Sequence, residues 1–157
     1  MKFDDPSSVL SSADTAGWRR ALIITALPLE MTAARQFTQH VASCQGRDGN
    51  VFEIGHFAGS DSDWLVVVGE SGAGNQQSSA IVTNACIQFG PFELIIFVGV
   101  AATRKPDDAP IGSVVASEHV YWPYGGKYKD GSFQSRPREY PINRQLLGLV
   151  KKVARDE

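Results

Sequence analysis

A chain of 157 residues, 43% of them hydrophobic and 20% charged, has the size and balance of one soluble globular domain with a core of its own. A net charge of −2, with nowhere three basic residues in a row, argues against a nucleic-acid or anionic-membrane surface. No apolar run approaches the roughly 18 residues that cross a bilayer. The two cysteines, Cys44 and Cys86, form no spaced framework and read as reduced, structural thiols of a cytoplasmic protein.

Residues 1–17 are rich in Asp and Ser, aperiodic and without an apolar secretory core, and read as a disordered, mobile tail ahead of a domain over 18–157. Residues 21–26 (Ala-Leu-Ile-Ile-Thr-Ala) predict a first strand, apolar on both faces as buried parallel strands are. After Leu27-Pro28-Leu29, a helix is expected over 29–42, with Met31, Ala34, Phe37 and Val41 on one stripe. Residues 51–57 and 64–69 read as strands that could pair as a hairpin. Glu70-Ser71-Gly72-Ala73-Gly74 then turns into a helix over 75–89, with Ile81, Ala85 and Cys86 inward. Residues 92–98 form the most apolar strand, stopped by Gly99, and 101–110 a polar loop. Short strands over 111–116 and 119–121, an exposed hairpin or flap over 124–135 and a helix over 145–155 complete the chain. Two βα units followed by an apolar strand indicate an α/β sheet with helices on both faces, mixed because of its hairpins.

Few residues carry chemistry. Glu30 stands where an open α/β sheet places its ligands, at a strand-to-helix junction. With Pro28 at the first helical position, it is also where a capping-box acid belongs, and spacing alone favours that structural reading. The Ser71-Gly72-Ala73-Gly74 turn fails the dinucleotide fingerprint at Gln77 and the P-loop at Gly74-Asn75-Gln76, leaving a tight turn with free amides at a helix start. His40, His56 and His119 are far apart, no Cys/His cluster suits zinc, and no serine-hydrolase elbow occurs.

Three segments together resemble the nucleoside phosphorylase and nucleosidase superfamily, in its methylthioadenosine/S-adenosylhomocysteine nucleosidase branch. They are Ile24-Thr-Ala-Leu-Pro-Leu-Glu30-Met31, Gly69-Glu-Ser71-Gly-Ala-Gly74-Asn, and Leu94-Ile-Ile-Phe-Val-Gly99-Val-Ala-Ala102 with Ile111-Gly-Ser-Val-Val-Ala-Ser117. Gly126-Lys-Tyr-Lys-Asp-Gly and Arg136-Pro137 also resemble phosphorylase-like effector domains of bacterial defence proteins. The resemblance implies a three-layer α/β sandwich with a mixed, mostly parallel central sheet, truncated at the C-terminus. It implies hydrolysis of the N-glycosidic bond of a purine (adenine) nucleoside or nucleotide, with no cofactor or metal, in a homodimer or higher oligomer. Glu30 would position and deprotonate the attacking water. Leu27 would touch the ribose, and Ser71, Ala73, Val100, Ala101 and Ala102 would line the nucleoside pocket.

Water is the expected nucleophile because the arginines with which the phosphorylases hold phosphate have no counterpart along Phe97-Val98-Gly99-Val100. Two departures stand out. Val100 occupies the place of a serine that helps to hold water and acid, and Ala102-Thr103 that of Gly-Gly. The segments that in the family bind the ribose hydroxyls and protonate the base have no match before Glu157. The alternatives are a non-catalytic nucleotide-binding or effector module and a phosphate-dependent phosphorylase.

Overall fold

A computed structural model describes residues 3–11, 15, 17–72 and 74–156. The chain divides into two compact units, residues 1–101 and 102–157. The first is built on a five-stranded sheet. Its strands are β1 (Arg19–Thr25), β2 (Gln39–Gln45), β3 (Val51–Ala58), β4 (Asp63–Glu70) and β5 (Leu94–Phe97), in the order β2-β3-β4-β1-β5. The β1 strand runs parallel to β4 and to β5, whereas β2, β3 and β4 pair antiparallel. The sheet is therefore mixed. Its parallel half holds β1 in the middle, where an apolar strand with no polar face belongs.

Helices α2 (Pro28–Arg35) and α3 (Asn75–Phe89) follow β1 and β4. The alternation of each strand sends Leu22, Ile24, Phe52, Ile54, Leu65 and Val67 to one core with Ile81, Ala85 and Phe89 of α3. Ala21, Val66 and Val68 form the smaller opposite core, with Met31 and Ala34 of α2 packed on it. Phe52 and Phe89 meet edge to face, 5.1 Å between centroids. A Cβ at Gly69 would stand 3.0 Å from the Phe52 ring and 3.2 Å from Ile81, so a glycine is what lets that ring lie against β4.

The helix expected over 29–42 is corrected by the structure. It ends at Arg35, and the chain enters β2, which carries Cys44 on a strand rather than a helix. Phe37, on the expected helical stripe, is 76% exposed, while Ala42 and Cys44 are buried at strand alternation. Pairing with β3 and burial of those two residues outweigh the helical spacing. Cys44 is a free thiol pushed up to about 11, by burial first and then by Asp4, Asp5 and Glu53. In α3 the inward residues are Ile81, Ala85 and Phe89, whereas Cys86 is exposed. Within the segment read as a tail, Asp5 caps a short helix, α1 (Pro6–Leu10), and Asp4 bridges to Cys44. Residues 1, 2, 12–14 and 16 of that segment lie outside the described residues.

In the second unit β6 (His119–Trp122) pairs antiparallel with β9 (Arg138–Pro141). The expected flap is the hairpin of β7 (Gly126–Lys129) and β8 (Ser132–Ser135). Asp130 and Gly131 both have positive φ at its tip, the conformation a two-residue hairpin turn requires. Helix α4 (Arg144–Asp156) follows. The strand expected over 111–116 is absent: Ile111 and Val114 are fully exposed and no partner strand pairs with them among the described residues.

Candidate functional site

Glu30 reaches the C-terminal edge of the sheet as the third residue of α2. Leu27 is extended (φ −123°, ψ 150°) and forms the N-cap, followed by Pro28 in the first turn, where its missing N–H costs nothing. The side chain turns back over its own helix start, and Oε2 accepts the amides of Ala26 at 2.9 Å and Leu27 at 3.0 Å. The Leu27 bond is the one expected of a capping-box acid. The other oxygen does something spacing could not disclose: Oε1 accepts the Val100 amide at 2.8 Å, from a residue 70 positions away. The loop after β5 lies tight against the carboxylate, since a Cβ at Gly99 would come 3.1 Å from Oε1.

Glu30 is only 8% exposed. The Val100 amide, then those of Ala26 and Leu27, hold its carboxyl below the ordinary 4.5 against the opposing effect of burial. It is therefore ionised at neutral pH. A carboxylate offers about four lone-pair sites. Backbone amides take three, leaving capacity for one further donor such as water. Beside this turn, Thr25 is completely buried and its hydroxyl has no hydrogen-bond partner among the described residues.

The glycine turn after β4 is stitched to the same place. The Ser71 amide donates to the Thr25 carbonyl at 2.8 Å, and its hydroxyl lies 3.2 Å from that oxygen and 3.0 Å from the Ser78 hydroxyl. Gly72 and Gly74 take φ of 70° and 123°, where a side chain would be strained. Gly74 caps α3 with no side-chain hydrogen bond. A cavity of about 390 Å³ opens beside this turn, lined by Asn50, Glu70, Ser71, Gln77, Ala80 and Ile81 among others. Asn50, Glu70 and Gln77 line it although the sequence reading did not single them out as site residues. The available signal was that Glu70 ends a strand at the ligand edge, in register with Thr25.

Of the residues the sequence singled out, Glu30, Leu27 and Val100 come together directly, and Ser71 joins them through Thr25. Val100 is 83% exposed, Leu27 about half. Ala101 is exposed, Ala102 is the first residue of the second unit, and Ala73 lies outside the described residues. A second cavity, about 330 Å³, lies over Glu53, Arg35 and His40. Its polar groups serve one another: Glu53 accepts the Ser43 hydroxyl at 2.9 Å, with Arg35 at 3.6 Å and His40 at 3.4 Å. It reads as the junction that anchors β2. Among the described residues no cluster of His, Cys, Asp or Glu could hold a metal, and no helix is long and apolar enough to cross a membrane.

No protein-family model and no curated protein matches the chain. Solved structures do. The S-adenosylhomocysteine nucleosidase from Streptococcus pyogenes, in complex with 5-methylthiotubericidin, matches with a TM-score of 0.64 at 17% identity, over 89% of this chain and 58% of that one. The Helicobacter pylori 5′-methylthioadenosine/S-adenosylhomocysteine nucleosidase gives 0.61 at 20% identity, over 89% and 60%. The futalosine hydrolase of Helicobacter pylori strain 26695 gives 0.57 at 19% identity, over 88% and 61%. The chain thus spans about three fifths of the length of each. At these identities the likeness concerns the backbone, and it is specific: the chain has the nucleoside phosphorylase/nucleosidase-like fold.

Proposed function

We propose that this chain carries the water-positioning part of a nucleosidase that hydrolyses the N-glycosidic bond of a purine nucleoside or nucleotide, adenine being the expected base. The observation that carries the reading is Glu30: an ionised carboxylate, fixed by three backbone amides, at the ligand edge of a nucleosidase-like sheet. Breaking an N-glycosidic bond leaves positive charge on the sugar. A preorganised anion stabilises that charge more in the transition state than in the ground state. The fourth acceptor site would orient one water toward the anomeric carbon.

As the water bonds to the oxocarbenium-like carbon, the developing charge acidifies it and its proton passes to the Glu30 carboxylate. Leu27 would meet the ribose, and Ala73, Val100, Ala101 and Ala102 the nucleoside. No arginine stands along Phe97-Val98-Gly99-Val100, which favours water over phosphate as the nucleophile, and this reading calls for no cofactor. A cytoplasmic homodimer is the assembly this reading expects.

The test is incubation of the protein containing this chain with adenosine or 5′-methylthioadenosine, with and without inorganic phosphate, following free base and free sugar by chromatography. Release of both, indifferent to phosphate, is expected. Phosphate-dependent release would make it a phosphorylase. Binding without release would favour the second reading, a non-catalytic nucleoside-binding module, which exposed Val100 beside the acid supports because it supplies no hydroxyl to hold water.

A further inference from the structure

The two edges of the five-stranded sheet are finished differently. On β5 no strand pairs outward among the described residues, and Ile95, Ile96 and Phe97 are exposed. At the other edge β2 buries Cys44 completely, although the outer side of an edge strand is ordinarily open to water. What closes that edge is the segment over residues 3–11. We propose that this segment is a detachable strap, which covers the outer edge of β2, shields the Cys44 thiol and, on release, exposes both.

Its attachment is specific. Asp4 forms a parallel bridge with Cys44: its amide donates to the Ser43 carbonyl at 2.9 Å, and the Ser43 amide donates to its carboxylate at 3.4 Å. Val9 and Leu10 pack on the core cluster that contains Cys44, and the Val9 carbonyl accepts the Thr15 hydroxyl at 2.9 Å. Asp4 and Asp5 stand near enough for their charge to add to burial in pushing the thiol up to about 11. It is therefore protonated at neutral pH, and a protonated thiol is a poor nucleophile. Lifting the strap would withdraw the cover and those two charges together.

Its hold is slight. None of residues 3–11 is fully buried: Phe3, Pro6, Val9 and Leu10 are half-buried and the rest are exposed. The hydrogen bonds of Ser7, Ser8 and Ser11 that cap and close α1 are exposed too. A helix of five residues does not persist in water away from its docking site. Few buried apolar contacts and exposed hydrogen bonds mark segments that open before the whole fold does. Ser43 and Cys44 also pair with β3 on their inner side, so the strand can stay in place while its cover leaves.

The experiment is timed alkylation of the protein containing this chain with iodoacetamide, reading the modified fractions of Cys44 and Cys86 by peptide mass spectrometry. Cys86 is exposed on α3 and serves as the internal reference. It should label at least about tenfold faster than Cys44. With Val9→Asp and Leu10→Asp together, Cys44 should label at least about tenfold faster than before, because the strap no longer docks, while the Cys86 rate stays the same. Labelling of Cys44 as fast as Cys86 in the unmodified protein, or an unchanged Cys44 rate in a folded variant, would overturn the strap. If the variant does not fold, a urea series on the unmodified protein decides. Opening of the strap alone exposes little surface, so below the unfolding transition Cys44 labelling should rise only weakly with urea. A rise with the full slope of global unfolding would mean that the thiol is reached only by unfolding, and would overturn the inference.

Discussion

Two strand-to-helix turns stand side by side at one edge of the sheet, each with a glutamate, and they use it in opposite ways. At the turn after β1, Glu30 is folded back onto backbone amides and is buried. At the turn after β4, Glu70 ends its strand half-buried and lines open space, with carboxamides and a hydroxyl around it. The same side chain is thus locked onto backbone amides in one place and left lining open space in the other. Pro28 and the extended Leu27 turn two amides of the local turn toward Glu30, and the pairing of β1 with β5 brings a third, from Val100. The glycines after Glu70 direct the chain away into α3.

The substitution that breaks this contrast most completely is Glu30→Gln. A carboxamide has one acceptor oxygen, so it cannot receive amides on both sides, and its NH2 would face a donor. Base release should fall at least about 100-fold, the usual scale of a positioned acid–base group. Steady-state kinetics should place the loss in kcat rather than KM. The stability difference between the two proteins should also depend on pH. Because the folded-state pKa of Glu30 lies below 4.5, its contribution is fully present above that value and is lost as the pH falls through the lower folded value. Acid titration of unfolding should show the gap closing in that window. A gap constant to the lowest pH would disprove the amide clamp.

A smaller effect tests the floor of the second turn. Gly69→Ala forces a methyl against Phe52 and Ile81 and should cost about 1–3 kcal/mol, as overpacking does. Denaturant unfolding would measure it. The smallest expected change is a gain. Thr25→Val removes a buried hydroxyl that has no partner among the described residues and should stabilise by about 1 kcal/mol. If stability falls instead, that hydroxyl is satisfied in solution by a bound water.

What the sequence disclosed depended on how local each feature was. The apolar run of β1, the β3–β4 hairpin, α3 and the hairpin over 124–135 carry their signals within a few residues. Strand β2 was hidden because Met31, Ala34, Phe37 and Val41 offer a helical period where Ala42 and Cys44 follow a strand one. Only pairing with β3, a tertiary fact, decides between them. At the site, the cap between Glu30 and Leu27 was readable from Pro28. The bond to Val100 was not, because it requires β1 and β5 to be neighbours. Residues 111–116 have strand composition but find no pairing strand among the described residues, and composition alone does not make a ladder.

The pairing of β1 with β4 does not stop where the strands do. Ser71 continues it onto Thr25, just as Val98 continues the other side onto Ile24. The two turns are therefore one mechanical piece, and neither can shift without straining a bond that belongs to the other. Perturbations of Ser71 and Glu30 should not add: a double-mutant cycle should return a coupling energy of about 0.5–3 kcal/mol, as contacting residues in one network do. A ligand seated at one turn would stiffen the other. Recognition and the placement of charge would then share a single free energy.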